Sequence, residues 1–256
     1  MLASMRDDER LEGTSALVTG ASRGLGKEVA RALAARGARV VMVARDEQAL
    51  ERAAADVRAS VGPRAQVHVA AFDVGDKEAA HRIAGVASAL VGPVDVLVHA
   101  ASTLGPVPMP LLLDTACEDL EGVLAVNLVG PFRLTKIVAG AMSVRSGPRG
   151  VVVFTSSDAG VEAYPRWGAY GVSKAAQDHL ARTFAAEVPS VRFLAFDPGE
   201  MDTAMHAAAM PEADRSALAR PEDVAAPLVR WIAREGRSHL EVPLRLDVGA
   251  LRARLA

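Results

Sequence analysis

Cysteine is almost missing from this chain. Cys117 stands alone among 256 residues, which excludes an intramolecular disulfide framework and a cysteine-based zinc cluster and suits a reducing compartment, with the cytoplasm as default. An excess of either charge is missing too. With 29 Lys+Arg against 31 Asp+Glu the formal net charge is -2, and the charges are dispersed, so no basic surface or acidic tail points to nucleic acid or a membrane. No apolar run reaches the roughly 18 residues that suggest a membrane helix, and the opening MLASMRDDERLEG is charged where a signal peptide would be apolar. Residues 1–12 are expected to form a flexible tail. Low-complexity linkers and internal repeats are also lacking, so a single domain is expected over 13–256, with a small molecule as its ligand and no metal.

What is present is apolar material in short runs. Half of the residues are hydrophobic, enough for one sizeable core at this length. The runs ALVTG from Ala16, RVVMVA from Arg39, QVHVAAF from Gln66, VDVLVHAA from Val94, GVVVFTSS from Gly150, VRFLAF from Val191 and LRLDV from Leu244 read as strands. Their continuity, as opposed to alternation, marks strands covered on both faces, as in parallel sheets. Helical spacing occupies Gly24–Arg36, Asp46–Ser60, Asp76–Leu90, Asp114–Met142 and Tyr170–Val188, and a short helix begins at Pro221, where proline suits the first turn. Alternation of this kind predicts an α/β fold: a doubly wound parallel sheet of about seven strands with helices on both faces, binding its ligand outside the carboxyl ends of the strands.

The first strand runs into Thr19-Gly20-Ala21-Ser22-Arg23-Gly24-Leu25-Gly26 and then a helix. Gly20, Gly24 and Gly26 permit a tight turn and close backbone approach, and a helix N-terminus offers free N–H groups to a pyrophosphate. The spacing departs from GxGxxG and resembles the TGxxxGxG pattern of the short-chain dehydrogenase/reductase family, a resemblance that covers nearly the whole chain. It implies a Rossmann-type fold and a nicotinamide dinucleotide held by Gly20, Ser22, Arg23, Gly24, Leu25 and Gly26. It further implies that Asp73 and Val74 contact the adenine, although Asp73 alone can also begin a turn or cap a helix.

Some twenty residues beyond the glycines, a dinucleotide fold presents an acid to the ribose of NAD or an arginine to the phosphate of NADP. The second strand ends in Ala44-Arg45-Asp46. Ala44, at the position of the family's NAD-selecting acid, cannot make that contact, whereas Arg45 can bind a phosphate through two hydrogen bonds, and Arg23 resembles the second basic contact of NADP users. NADP(H) is therefore favoured over NAD(H). Asp46 reaching the ribose after a small shift in register, and Arg45 as a solvated surface charge, remain as alternatives.

Tyr170 and Lys174 are spaced to share one face at the start of a helix. A nearby ammonium and an oxidised nicotinamide bring a phenol closer to working pH and make it a proton donor and acceptor. The YxxxK pair is common by chance, but Ser157 lies upstream in FTSSDAG, which resembles the family's catalytic-serine segment and implies that its hydroxyl holds the substrate oxygen. Asn127, in AVNLVGPF, resembles the asparagine that completes the family's tetrad through a bent helix and a water relay to the lysine. Taken singly, these residues also read as a surface charge, a core edge, a strand-end cap and a polar helix residue.

After the sixth strand, Pro198, Gly199 and Thr203 resemble the family's PG segment and imply contact with the nicotinamide side, with a substrate loop or lid around 199–220 that includes Met201, Met205 and Met210. Pro-Gly as an ordinary turn and methionines as helix packing are the plainer readings. The family's NNAG segment is replaced by His99-Ala100-Ala101-Ser102. Ala100 is expected beside the cofactor, and His99 is expected to be a buried imidazole satisfied by backbone groups. The stretch from Pro165 to Met205 is most similar to the sepiapterin reductase branch, which makes Tyr164, Trp167 and Glu200 pocket candidates and raises Asp247 as a possible match for that branch's substrate-anchoring acid. These readings imply an NADP(H)-dependent carbonyl reductase, associated as a homodimer or homotetramer, with reduction of a 3-oxoacyl thioester and non-catalytic NADP(H) sensing as rivals.

Overall fold

The computed structural model describes residues 7–236 and 245–255. Among them seven parallel strands form one sheet in the order β3-β2-β1-β4-β5-β6-β7, with β1 Ser15–Thr19, β2 Arg39–Ala44, β3 Gln66–Ala71, β4 Val96–His99, β5 Gly150–Thr155, β6 Val191–Asp197 and β7 Arg245–Asp247. The expected architecture is therefore present. Leu244, the first residue of the expected last strand, lies outside the described residues, as do residues 1–6 and Ala256.

The uninterrupted apolar strands serve two layers at once. Ala16, Val18, Val40, Met42, Val151, Val153, Leu194 and Phe196 face one core with α1 (Gly24–Ala35), α2 (Glu47–Val61), α8 (Pro221–Trp231) and α9 (Val248–Leu255). Their neighbours Leu17, Val41, Val43, Val152, Phe154, Phe193 and Ala195 face the other, with α3 (Ala79–Val91), α5 (Gly130–Ser143) and α6 (Gly168–Glu187). Each valine, leucine, methionine or phenylalanine among them contributes on the order of 1.5–3 kcal/mol by leaving water, so a sheet enclosed on both faces needs no polar alternation.

Three local readings are corrected. The third helix starts at Ala79, after Asp76, because the Asp76 carboxylate accepts from Glu78 N at 3.0 Å and makes a turn first. The region expected as one helix from Asp114 to Met142 is divided into α4 (Cys117–Leu124), a π-helical turn (Ala125–Val129) and α5. A Cβ at Gly130 would stand 2.2 Å from Val74 O, and Pro131 carries no N–H to close the α-helical bond to Asn127, so the chain loosens there. Finally, the expected tail is held from Asp7 onward: Leu11 is buried and its N–H donates to Arg36 O, while Glu9 pairs with Arg230 at 2.7 Å.

The run Cys117–Ser143 is long and apolar enough by composition to cross a membrane. Its buried residues Leu134, Val138, Ala139 and Met142 belong to the sheet's second core, which is the place of a core helix.

Candidate active site

A cleft of about 920 Å³ opens at the carboxyl ends of the strands and is lined from the glycine turn through the loop after β6. At its first end Gly20 takes φ +66°, and a Cβ there would meet Ala100 O at 2.6 Å. A Cβ at Gly26 would stand 2.4 Å from Gly20 O. The two glycines thus let β1, the turn and β4 close on one another. The N-cap of α1, Arg23, makes no side-chain capping bond, so the helix's first N–H groups are available to an anion.

Ser22, Leu25, Arg45, Asp73, Val74, Ala100, Pro198, Gly199 and Thr203 line the same cleft. Arg45 Nη1 is 3.8 Å from Asp73 Oδ2, with the Arg45 side chain 72% exposed. Asp73 Oδ1 accepts from Gly75 N at 2.8 Å, so this residue does shape a turn while facing the cleft. Asp46, the alternative ribose contact, accepts from Ala49 N at 2.9 Å and caps α2. Thr203 caps α7 (Ala204–Ala209) through His206 N at 3.1 Å, and its methyl would lie 3.5 Å from a Cβ on Gly24. The loop after β6 therefore bends back over the glycine turn.

At the other end α6 presents Tyr170 and Lys174, both buried. Lys174 Nζ sits 5.3 Å from the Tyr170 ring centroid and donates to Thr155 O at 2.7 Å. Burial lowers Lys174 to about 8, opposed by Asp178 and Asp197. Burial likewise pushes the Tyr170 phenol up to about 12, and the neighbouring hydroxyls of Ser157 and Ser102 work against that rise. Ser157 lies just past β5 in extended backbone; its hydroxyl donates to Asp158 Oδ1 at 3.0 Å and accepts from Ala159 N at 3.2 Å.

Asn127 is fully buried and stands behind the cleft, not in its wall. Its side-chain oxygen accepts from Thr103 N at 2.8 Å and Ser102 Oγ at 3.2 Å, and its Nδ2 donates to Thr103 O and Ser173 Oγ, both at 2.9 Å. Its main-chain oxygen, freed of an α-helical donor by Pro131, accepts from Gln177 Nε2 at 2.6 Å. Gln177 Oε1 in turn is 3.4 Å from Lys174 Nζ. The span between Asn127 and Lys174, ascribed to water by the resemblance, is thus bridged by a glutamine side chain.

Tyr164, Trp167 and Glu200 line the cleft, and Asp158 Oδ2 accepts from Tyr164 Oη at 3.0 Å. Asp247 does not line it: this carboxylate accepts from Ala250 N at 2.8 Å and is spent at the start of α9. His99 is buried in β4, stacked on Phe154, and its Nε2 lies 2.8 Å from Thr135 Oγ1. A side-chain hydroxyl thus takes the place of the backbone partner expected for it. Burial, with Lys174 nearby, lowers this imidazole to about 3, which keeps it neutral.

Sequence reasoning missed Ser102, Asp158, Gln177 and His206. Ser102 was visible as a departure from NNAG, and Gln177 as a polar residue one helical turn past Lys174. Nothing local marks His206, whose two ring nitrogens are buried without a hydrogen-bond partner in the wall of the cleft. Chemically, the cleft combines a dinucleotide-shaped first end with a phenol, a hydroxyl and an ammonium at the second, a set suited to moving one proton beside a hydride transfer.

A family model described as short chain dehydrogenase matches residues 14–214. The chain is 32% identical over 218 residues to the oxidoreductase YciK of Escherichia coli K12, covering 84% of each. It is 33% identical over 196 residues to the sepiapterin reductase of Meriones unguiculatus, covering 74% of each. Among solved structures, a short chain dehydrogenase from Shigella flexneri 2a complexed with NADP superposes with a TM-score of 0.84 at 27% identity, covering 95% of this chain and all of that one.

Proposed function

Since the chain belongs to the short chain dehydrogenase family, we propose that it is an NADP(H)-dependent carbonyl reductase acting on a small ketone, dicarbonyl or pterin-like side chain. The observation that carries this reading is that Ser157, Tyr170 and Lys174 share the wall of one cleft, with Lys174 Nζ 5.3 Å from the Tyr170 ring centroid. The first end of the cleft fits a dinucleotide: its glycines leave no room for side chains where backbone crosses backbone, the α1 N-terminus is uncapped by a side chain, and Arg45 is free to swing onto a phosphate.

The bound nicotinamide, when reduced, supplies hydride to the carbonyl carbon. Tyr170 gives its proton to the carbonyl oxygen as negative charge develops there, and the Ser157 hydroxyl turns from Asp158 to hydrogen-bond that same oxygen. Lys174 holds a positive charge against the phenol and favours the phenolate left behind. Asn127 and Gln177 keep the lysine and the 102–103 segment in place. In the reverse direction the phenolate takes the alcohol's proton.

The substrate end carries Asp158 and Glu200, a poor surface for a carboxylate, a phosphate or an acidic acyl carrier, which favours a neutral or cationic carbonyl over a 3-oxoacyl thioester. A non-catalytic sensor of NADP(H) would have no use for a phenol so placed. Residues 199–220, with Met205 and Met210 in the cleft wall, serve as the substrate lid in this reading. Leu113, Phe132 and Val172 are exposed near or on α4, α5 and α6 and suit a homodimer or homotetramer built through those helices. The exposed thiol of Cys117 suits a reducing compartment such as the cytoplasm.

The test is oxidation of NADPH and NADH by the purified protein against diketones, aldehydes, quinones, pterins and acyl thioesters, with Tyr170→Phe as control. Turnover that prefers NADPH and disappears in the variant is the expected result. Tight NADPH binding without turnover on any of these would favour the sensor.

A further inference from the structure

The two carboxylates that act on Lys174 are themselves held by a residue from the far edge of the sheet. Asp178 lies one helical turn beyond Lys174 on α6, and Asp197 ends β6; both are buried. Arg245, the first residue of β7, donates from Nε to Asp178 Oδ2 at 2.9 Å and from Nη2 to Asp197 Oδ2 at 2.9 Å. The same Nη2 reaches Ser157 O at 3.2 Å. One guanidinium thus ties the helix that carries Tyr170 and Lys174, the strand end that leads to Pro198 and Gly199, and the main chain of Ser157.

Its position has an electrostatic consequence. Facing the Tyr170–Lys174 pair are Asp178 from α6, Asp197 from β6, Asp158 from the turn after β5, the neutral His99 from β4 and Arg245 from β7. Asp197 disfavours the phenolate of Tyr170, as a like charge nearby does, while Asp178 and Asp197 both act on Lys174. Arg245 places its charge between them, and its planar fork suits two acceptors at once where an ammonium would not.

We propose that Arg245 is a positioning residue of the reaction: by bridging Asp178 and Asp197 it cancels their field at Tyr170 and Lys174, fixes the main chain of Ser157, and thereby sets the pH at which Tyr170 exchanges its proton. This deepens the reductase reading and rests on it for the meaning of that proton. Its test does not require turnover, because Tyr164 and Tyr170 are the two tyrosines of the chain. In a Tyr164→Phe background, the ultraviolet absorbance of phenolate reports Tyr170 alone, titrated with NADP+ bound.

Arg245→Gln is expected to move that titration upward by about one pH unit, and Asp197→Asn to move it downward, while Arg245→Lys stays nearer the parent than Arg245→Gln does. Where turnover is found, the pH profile of alcohol oxidation moves in the same directions; where none is found, the carbonyl reductase reading fails and the titration still decides the role of Arg245. Unequal loss of packing cannot produce opposite signs. An unmoved titration in Arg245→Gln with native circular dichroism overturns the proposal, as does movement of Asp197→Asn and Arg245→Gln in the same direction. Should Arg245→Gln not fold, the sign of the displacement in Asp197→Asn decides it.

Discussion

The side-chain amide of Gln177 joins the main-chain oxygen of Asn127, 2.6 Å from its Nε2, to the ammonium of Lys174, 3.4 Å from its Oε1. One side chain satisfies an orphaned carbonyl at the π-helical turn and gives the buried cation a second acceptor beside Thr155 O. Gln177→Leu keeps much of the volume and removes both bonds. It is expected to cost about 1–3 kcal/mol of stability, the usual penalty of a buried acceptor left unpaired, read from urea denaturation, and to lower kcat more than it raises KM for NADPH.

Tyr170→Phe removes the proton and little else. The ring still packs against Trp167, whose centroid is 5.7 Å away. NADPH affinity by fluorescence titration is expected to hold, while kcat falls by roughly 10²- to 10⁴-fold, the range that a general acid supplies. Loss of cofactor binding in parallel with kcat would contradict a purely chemical role for the hydroxyl.

Arg45 bears on the choice between the two nicotinamide cofactors. Its exposed guanidinium has a loose contact with Asp73, so meeting a phosphate breaks no strong bond. Arg45→Ala is expected to weaken NADPH binding by about 10- to 100-fold, as for a charge-assisted hydrogen bond lost, and to leave NADH nearly unchanged. Dissociation constants for the two cofactors, measured side by side at one ionic strength, check it. Equal weakening of both would point to Asp46 or to the helix terminus as the selecting element.

His99 makes stability depend on pH. Its imidazole is lowered in the folded protein from the ordinary 6.5 to about 3 by burial and by the charge of Lys174. Between these values the unfolded chain binds a proton that the folded chain does not, so this group's contribution is complete above pH 6.5 and is lost progressively as pH falls toward 3. Melting temperature is expected to fall more steeply between pH 6.5 and 4 in the parent protein than in His99→Asn, whose amide can still meet Thr135 and does not titrate. Parallel slopes would show that the imidazole is already charged in the fold.

Much of the architecture was legible because its causes are local or periodic. Strands enclosed on both faces must be apolar along most of their length, and residues 40–43, 151–154 and 193–196 are; helices between them end at Gly37, Gly62 and Gly92, where the chain takes positive φ. The glycine turn and the Tyr170–Lys174 spacing were equally visible, since backbone approach and one helix face are set by residue type and separation. The break near Asn127 and the held segment 7–12 were not, because each depends on a partner remote in the chain: Gly130 passes Val74, and Glu9 waits for Arg230; the late start of the third helix is local, a turn at Asp76 that the helical spacing masked.

By itself the sequence determined the parallel two-faced sheet, the dinucleotide-shaped turn and a phenol, ammonium and hydroxyl in the order of one family, because hydrophobic burial and short-range geometry act over a few residues. Tertiary structure alone decided what charge those groups feel. Arg245 bridging Asp178 and Asp197, His99 turned to Thr135 and Gln177 set between Asn127 and Lys174 join residues from different strands and helices. Electrostatic and hydrogen-bond energies depend on distance and burial in space, and spacing along the chain does not specify either.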